Sequence, residues 1–165
     1  MITIRSFESR DTQTVHSLFS QGLMGFAQGF EREVRGYIQE SLNDDLANIN
    51  ASYMEDPSNH FWVADIDGEV KGMVGVQWRS IQEAELRRMS VSDTVRRQGI
   101  GYKLLETVEG FCRDRGHRRI LLTTVTLLVP AIAMYRRFGF HRTSEERYGR
   151  VSAQHFAKEL TSPDL

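Results

Sequence analysis

One short segment of this sequence combines residue types that bind anions. It runs from Arg96 to Tyr102 and reads Arg-Arg-Gln-Gly-Ile-Gly-Tyr. Gly99 and Gly101 let the backbone come close to a ligand, and amide groups in the first turn of a helix have no acceptor within that helix. The helix dipole and the planar guanidinium groups of Arg96 and Arg97 favour phosphate oxygens. The segment therefore predicts a phosphate-binding helix start.

The elements around this segment must hold it at the end of a strand. Residues 84–91 have a strand pattern, and from Gly99 to Arg115 the apolar residues lie on one helical stripe. Gly116 ends that helix as a C-terminal glycine does, and residues 120–125 read as a buried strand. A strand, a helix and a strand within about 40 residues predict two parallel strands joined by a crossover.

The first third of the sequence predicts two helices and a loop. A helix that Ser9 or Asp11 caps runs through Ser20, and a long amphipathic helix extends from residue 31 to about residue 53. Between them lies a loop, residues 22–30, in which three glycines are expected to break any helix while four apolar side chains remain. This composition is unusual for a plain surface connection.

The remaining strands and the last helix follow from short local signals. Strands are expected at residues 2–5, 61–64 and 70–78, with a tight Asp67-Gly68 turn between the last two. Pro130 suits the first turn of a short helix that reaches Phe138, and Tyr148-Gly149 turns a final hairpin. The result is one α/β domain over residues 1–165.

Composition narrows the class of protein. The 165 residues are 40% hydrophobic and 26% charged, which is typical of an ordinary globular domain. The single Cys112 excludes an internal disulfide and a Cys-pair zinc site and favours a reducing compartment, and the five histidines lack metal-ligand spacing. No signal peptide or apolar run of roughly 20 residues is visible. We therefore expect a cytoplasmic protein without a metal or a membrane partner.

Charge is divided along the chain. Residues 1–84 carry 6 basic and 13 acidic side chains, whereas residues 85–150 carry 14 basic and 7 acidic ones. The basic part indicates an anionic ligand, and both a nucleic acid and a phosphorylated cofactor fit that description. Single-stranded nucleic acid needs exposed aromatic platforms between the cations, but Phe111, Phe138 and Phe140 read as core positions. We therefore expect no nucleic-acid partner.

At residues 96–102 and in the motif Tyr135-Arg-Arg-Phe-Gly-Phe140, the chain resembles the GNAT superfamily of acetyl-CoA-dependent N-acetyltransferases. The resemblance implies a GNAT-type mixed, twisted sheet of about seven strands with four helices, in which two central parallel strands splay apart around acetyl-CoA. Here those strands are residues 83–91 and 119–125. The segment Met89-Ser90-Val91 would pair with the pantetheine arm, and the amides of residues 97–102 (Arg97, Gln98, Gly99, Ile100, Gly101 and Tyr102) would hold the pyrophosphate.

The resemblance also implies roles in acetyl transfer. Glu85 occupies the place of a general-base glutamate, with Glu83 or water as alternatives and pairing with Arg79 or Arg87 as its structural role. Tyr135 is the expected general acid, because a phenol with an ordinary pKa near 10 is protonated at neutral pH and can donate to a thiolate. Its alternative role is packing.

The acceptor would lie between the loop of residues 22–30 and the final hairpin, so Phe26, Phe30, Arg147 and Arg150 are candidate contacts. Because that loop has no acidic residue, we expect a small amino-acid-like amine rather than a polyamine. A protein or peptide acceptor, a non-catalytic acyl-CoA sensor and a homodimer remain open.

Two further features refine the resemblance. Within the superfamily, the chain looks most like the subfamily containing cysteine-conjugate and lysine N-acetyltransferases of vertebrate membranes, whose apolar membrane segment is not seen here. Many superfamily members have a cofactor-contacting asparagine seven residues before the motif tyrosine, where this chain has Leu128. The cofactor contact at that position is therefore an open question.

Overall fold

The computed structural model describes residues 1–160 and contains one seven-stranded sheet with the order β1-β2-β3-β4-β5-β7-β6. The strands are β1 (Ile2–Ser6), β2 (His60–Ile66), β3 (Glu69–Trp78), β4 (Glu83–Val91), β5 (Arg119–Val125), β6 (His141–Tyr148) and β7 (Val151–Glu159). Neighbouring strands are antiparallel except β4 and β5, which are parallel. The predicted mixed sheet is confirmed.

Four α-helices accompany the sheet, as expected. They are α1 (Thr12–Met24), α2 (Glu31–Asn43), α3 (Ile100–Asp114) and α4 (Val129–Phe138). One cluster of buried side chains lies between the sheet and α3 with α4, and another lies between the sheet and α1 with α2. Within residues 1–160, no helix combines the length and the apolar character that crossing a bilayer requires.

Helix α1 continues past its predicted end at Ser20 and includes Gly22. A Cβ atom at Gly22 would lie 2.5 Å from Oγ of Ser90 on β4. Glycine therefore lets this helix pack closely on the sheet instead of breaking it, because no side chain stands between the two backbones. The predicted loop accordingly begins at Gly25 rather than at Gly22.

The predicted long helix from residue 31 to residue 53 was wrong as a single element. Helix α2 ends at Asn43, and after a turn residues Asn50–Met54 form a π-helical segment. Leu46 and Ile49, which suggested one continuous stripe, are nevertheless buried. The helical spacing of the apolar residues thus reflects the burial of two separate segments and not one continuous helix. The interruption turns Asp45 inward, where only 6% of it is exposed.

Strands β4 and β5 separate after a short paired stretch. Their pairing ends at Glu85 and Leu121, and the remainder of each strand stays paired only with its outer neighbour, β3 or β7. The inner edges of the two strands therefore carry backbone groups that a ligand can pair with. The splayed central strands predicted from the resemblance are present.

A β-bulge interrupts β4 on its open part. Arg87 pairs with Gly75 and Ser90 pairs with Met73, so Arg88 and Met89 together stand opposite one residue of β3. Arg88 takes a positive φ of 57°, which costs a non-glycine residue about 1–3 kcal/mol. A bulge re-aims the side chains and backbone groups of its strand, here beside the splay.

Candidate active site

A groove of about 1660 Å³ opens where β4 and β5 separate. One wall, which we call the α3 side, is lined by residues 89–91, by residues 96–102 apart from Gln98, and by several residues between 130 and 137 of α4. Its hairpin side is formed by residues 26–40 and by residues 148–153 of the β6–β7 hairpin, again through several lining residues. The volume exceeds the usual range of about 300–1000 Å³ for a small-ligand site, so the groove has room for two substrates.

The start of α3 has the geometry of an anion site. Gly99 is its N-terminal cap with φ of 77°, and Arg97 before it has φ of 68°. Neither Arg96 nor Arg97 makes an ion pair or a side-chain hydrogen bond within residues 1–160, although Arg96 lies over the ring of Phe26 with its guanidinium carbon 5.4 Å from the centroid. Free amides and free guanidinium groups thus converge on one wall of the groove.

Gly101 has a second role that the sequence did not reveal. A Cβ atom there would lie 2.6 Å from the sulfur of Met134 on α4. Its absence lets α3 and α4 pack together beneath the groove, so a larger residue would disturb the helix contact before it disturbed a ligand. Gly99 has nothing within 4 Å of such an atom, and its requirement for glycine comes from its positive φ.

Arg137 is a cation of the α3 side that sequence reasoning missed. It belongs to α4, lines the groove and makes no ion pair within the described part of the chain. Its position two residues after Tyr135 was visible in the sequence, but only the packing of α4 beside α3 shows that it shares a wall with Arg97. The α3 side therefore offers at least three unpaired guanidinium groups to an anion.

Tyr135 lines the groove from α4 and is 5% exposed. Its ring packs edge-on against Phe140, with 5.9 Å between the centroids. Burial raises the pKa of its phenol, so the hydroxyl keeps its proton. That hydroxyl makes no hydrogen bond to another group of residues 1–160. Every fully buried polar side-chain atom in those residues has a partner, so the Tyr135 hydroxyl is not fully buried. The Tyr135 hydroxyl therefore opens into the groove.

A buried ion pair holds the β4 bulge. Arg88 donates from Nε and Nη2 to the Asp45 carboxylate at 3.0 and 2.6 Å, and from Nη1 to the hydroxyls of Tyr37 and Ser41 at 2.9 and 3.1 Å. Tyr53 donates its hydroxyl to the same carboxylate. These contacts tie the end of α2 to the bulge and offset the strain of Arg88.

The Asp45 carboxylate stays ionised although it is buried. Burial alone would raise its pKa, but the hydrogen bonds from Arg88 and Tyr53 and the positive charges of Arg88 and Arg87 hold the pKa below its ordinary value. No local pattern indicated this pair, because Asp45 and Arg88 are far apart along the chain and the turn after α2 was expected to be helix.

The structure does not bring Glu85 into the groove. Its carboxylate accepts a hydrogen bond from Nε of Arg79 at 2.7 Å, and it stands at the closed end of the splay. Glu83, the alternative base, lies 3.6 Å from the guanidinium of Arg119. Neither residue lines the groove, and each carboxylate lies beside an arginine, the pairing that is the structural alternative for Glu85.

Two of the four predicted acceptor contacts line the groove, namely Phe26 and Arg150. Arg150 is already engaged, since its Nε lies 2.8 Å from the Glu33 carboxylate and its guanidinium lies over the ring of Phe30. Phe30 serves as that platform and packs on the core. Arg147 is exposed, outside the groove lining, and donates to the carbonyl of Gly149 at 3.3 Å.

Acidic groups on the hairpin side come from α2 and not from the loop before it. Glu31, Glu33 and Glu40 line the groove. Glu31 accepts from the amide of Gly29 and Glu33 pairs with Arg150, whereas Glu40 has no ion-pair partner within residues 1–160. The loop composition therefore predicted only part of the electrostatics of the hairpin side.

Two remaining expectations concern single positions and metals. Leu128 is the N-terminal cap of α4 and lines the groove, and its apolar side chain offers no hydrogen bond to a ligand there. Among the described residues, no group of three or more His, Cys, Asp or Glu side chains could hold a metal ion.

Comparison with protein families gives one match that covers most of the chain. The model of the Acetyltransferase (GNAT) family matches residues 22–140. N-acetyltransferase 8 of Rattus norvegicus is 35% identical over 116 residues, which are 67% of this chain and 52% of that protein. "Probable N-acetyltransferase camello" of Xenopus tropicalis is 38% identical over 120 residues, 72% of this chain and 55% of that protein. The chain spans about half the length of the curated relatives it matches.

Solved structures share the fold over nearly the whole chain. A GNAT-family acetyltransferase from Staphylococcus aureus Mu50 has a TM-score of 0.82 and 21% identity, covering 98% of this chain and 100% of its own. The PaiA N-acetyltransferase of Thermoplasma acidophilum, solved in complex with coenzyme A, has a TM-score of 0.79 and 18% identity, with 97% and 99% covered. At these identities the likeness establishes the fold.

Proposed function

The chain belongs to the acetyltransferase (GNAT) family, and from that premise we propose that it transfers an acetyl group from acetyl-CoA to a primary amine. The observation that carries this proposal is the splay between β4 and β5, which ends at a helix start flanked by Arg96 and Arg97 without ion-pair partners. Those features fit the two parts of coenzyme A, an extended amide-bearing arm and a pyrophosphate.

The α3 side would hold coenzyme A through backbone groups and charge. The inner edge of β4 at Met89, Ser90 and Val91 is free to pair with the amides of the pantetheine arm. Amides of residues 97–102 and the guanidinium groups of Arg96 and Arg97 suit the pyrophosphate oxygens. Ser90 contributes its backbone only, because its hydroxyl donates to the carbonyl of Leu18.

Acetyl-CoA, as co-substrate, supplies the acetyl group and a thiolate that needs a proton once the acyl bond breaks. Tyr135 is the group we assign to donate that proton. Its hydroxyl is protonated, opens into the groove and has no protein partner within residues 1–160 to give up. A proton donor in this position contributes about 10²–10⁴ to the rate.

The acceptor we propose is a compact amine with an apolar body, such as an amino acid or its conjugate. Aromatic side chains of Phe26 and Tyr37 line the hairpin side. Of the carboxylates there, only Glu40 is without an ion-pair or hydrogen-bond partner among the described residues, so one ammonium group can be paired and a polycation cannot.

The experiment is calorimetry with coenzyme A, followed by an assay of coenzyme A release with a panel of amines. We expect binding, and turnover that is faster with amino acids and their hydrophobic conjugates than with spermidine or an aminoglycoside. Gly99→Val should weaken binding because it forces a β-branched residue into positive φ. Gly110→Val is the matched control, since Gly110 is exposed on α3 and has nothing within 4 Å of an added Cβ.

Each outcome of this experiment has a distinct meaning. Absence of coenzyme A binding would refute the function. Binding without turnover on any amine would favour the acyl-CoA sensor, and turnover that is fastest with lysine peptides would favour a protein acceptor. The highest kcat/KM with spermidine would contradict the proposed acceptor and leave acetyl transfer intact.

A further inference from the structure

A chain of hydrogen bonds leads from the groove into the final hairpin. Thr123 on β5 lines the groove, and its Oγ1 lies 2.8 Å from Nδ1 of His155, the residue directly opposite on β7. Nε2 of the same imidazole lies 3.0 Å from Oε1 of Glu146 on β6. Tyr148 donates its hydroxyl to the other oxygen of that carboxylate at 2.6 Å. Three adjacent strands thus contribute to one continuous chain.

The Glu146 carboxylate determines which ring nitrogen of His155 carries hydrogen. An ionised carboxylate can only accept hydrogen bonds, so Nε2 must be the N–H that faces it. Nδ1 then has a lone pair and accepts the hydroxyl hydrogen of Thr123. The hydrogen bonds from Tyr148 and His155 lower the pKa of Glu146, which keeps the carboxylate ionised and this arrangement in place.

The position of Thr123 relative to the splay is the second observation. Leu121 stands opposite Glu85 at the closed end, and Thr123 follows it by two residues. Because strand residues two apart face the same side of a sheet, Thr123 presents its hydroxyl on the side where Glu85 lies, but on the open part of β5. It therefore occupies the groove that the paired Glu85 does not reach.

The groups around the His155 ring are one carboxylate and neutral side chains. From β6, Glu146 contacts the ring directly and Tyr148 contacts Glu146. From β5 the ring meets the neutral Thr123, and the β6 residue opposite it is the neutral Ser144. Among residues 1–160, Glu146 is the one charged side chain within ion-pair distance of this ring, so its carboxylate can offset the charge of an imidazolium.

We propose that Thr123, His155 and Glu146 form a relay that removes the proton from the ammonium group of the acceptor. An N–H bond of the ammonium breaks as Oγ1 of Thr123 takes that proton, and the hydroxyl proton of Thr123 moves to Nδ1 of His155. The amine gains the electron pair it needs for attack, and Glu146 offsets the charge of the imidazolium. The partly exposed His155 returns its proton to water. This inference rests on the proposed function.

Thr123 touches the substrate in this scheme, whereas His155 and Glu146 act through it. Thr123→Val removes the hydroxyl at nearly constant shape, and we expect kcat/KM to fall by about 10²-fold or more, the scale of general-base catalysis. Thr123→Ser should restore most of the rate. His155→Gln should cause a similar loss and change the shape of the kcat/KM profile against pH, a change that lost packing would not produce.

His141→Gln is the matched control, because His141 is exposed on β6 and lies outside the chain of hydrogen bonds. It should keep both the rate and the pH profile of the wild type. The relay is wrong if His155→Gln retains the pH profile of the wild type and a kcat/KM within about twofold of it.

A measurement on the protein without substrates separates this inference from the proposed function. Long-range ¹⁵N–¹H correlation of the imidazole groups reports which nitrogen of His155 is protonated. We expect the Nε2–H form in the wild type and a mixture of the two forms in Glu146→Gln, whose amide can also donate. A Nδ1–H form in the wild type would overturn the relay even if acetyl transfer occurs. Failure to bind coenzyme A would refute the function without changing the tautomer.

Discussion

On the α3 side of the groove Arg96, Arg97 and Arg137 make no ion pair within residues 1–160, and the Tyr135 hydroxyl is also free. On the β4 bulge Arg88 is paired with Asp45, and on the hairpin side Arg150 is paired with Glu33. Three groove-lining arginines of the α3 side are thus without ion-pair partners, whereas outside the α3 side only Arg32 lines the groove without an ion pair in residues 1–160. Guanidinium groups without a protein partner can bind an anionic ligand, whereas paired ones fix the backbone that carries them.

This difference teaches where a substitution should act. Removing a group of the α3 side should change ligand binding or turnover and leave the free energy of unfolding nearly constant, because no ion pair or hydrogen bond within the protein is lost. Removing a paired group should change the free energy of unfolding first. The four variants below, with a pH series on one of them, separate these effects.

Tyr135→Phe should have the largest effect on activity. It removes a proton donor and keeps the ring packed against Phe140, so kcat should fall by about 10²–10⁴. Coenzyme A affinity and thermal unfolding should stay close to wild type. Steady-state kinetics beside calorimetry measure this, and a turnover within about twofold of wild type would reduce Tyr135 to a packing residue.

Asp45→Asn should have the largest effect on stability. It leaves the buried Arg88 without its counter-charge, and breaking a buried pair costs about 3–5 kcal/mol. Urea unfolding measures the loss, and Asp44→Asn is the control because Asp44 is the exposed neighbour. Equal stability of the two variants would show that the pair does not hold the bulge.

The same pair predicts a dependence on pH. The pKa of Asp45 is lowered by folding from an ordinary 3.8, so its contribution is complete above that value and is lost as the pH falls below it. The difference in unfolding free energy between wild type and Asp45→Asn should therefore shrink in acid. A difference that stays constant down to the folded-state pKa would contradict the assignment.

A double variant, Arg96→Ala with Arg97→Ala, should weaken coenzyme A binding without changing stability. Hydrogen bonds to charged groups contribute about 1.5–3 kcal/mol, and every 1.4 kcal/mol is about tenfold in Kd, so we expect at least a tenfold rise. Arg118→Ala is the matched control, since Arg118 is exposed and outside the groove. An unchanged Kd would show that Arg96 and Arg97 do not bind the phosphate groups of coenzyme A.

Arg150→Gln should have the smallest effect of the four. The Arg150 side chain is 63% exposed and its partner Glu33 is 32% exposed, and an exposed pair contributes about 0–1 kcal/mol. A double-mutant cycle with Glu33→Gln measures the coupling in unfolding. A coupling well above this range would show that the Arg150–Glu33 pair stabilises the fold as a buried pair does.

Much of the fold followed from local patterns in the sequence. The apolar stripe of α3, the positive-φ glycine at Gly116 and the Asp67-Gly68 turn each depend on residues close together in the chain. The same holds for the helix start at Gly99. Periodicity failed after Asn43, because a turn and a π-helical segment can bury residues at the same spacing as one long helix.

What the sequence by itself determined is therefore the set of elements, the charged helix start and the family to which they belong. Only the tertiary structure decided which charges are free. The partners Asp45 and Arg88 meet through a bulge, and Thr123 meets His155 through strand register. Strand register and the packing of distant segments arise from long-range contacts, and no local spacing encodes them.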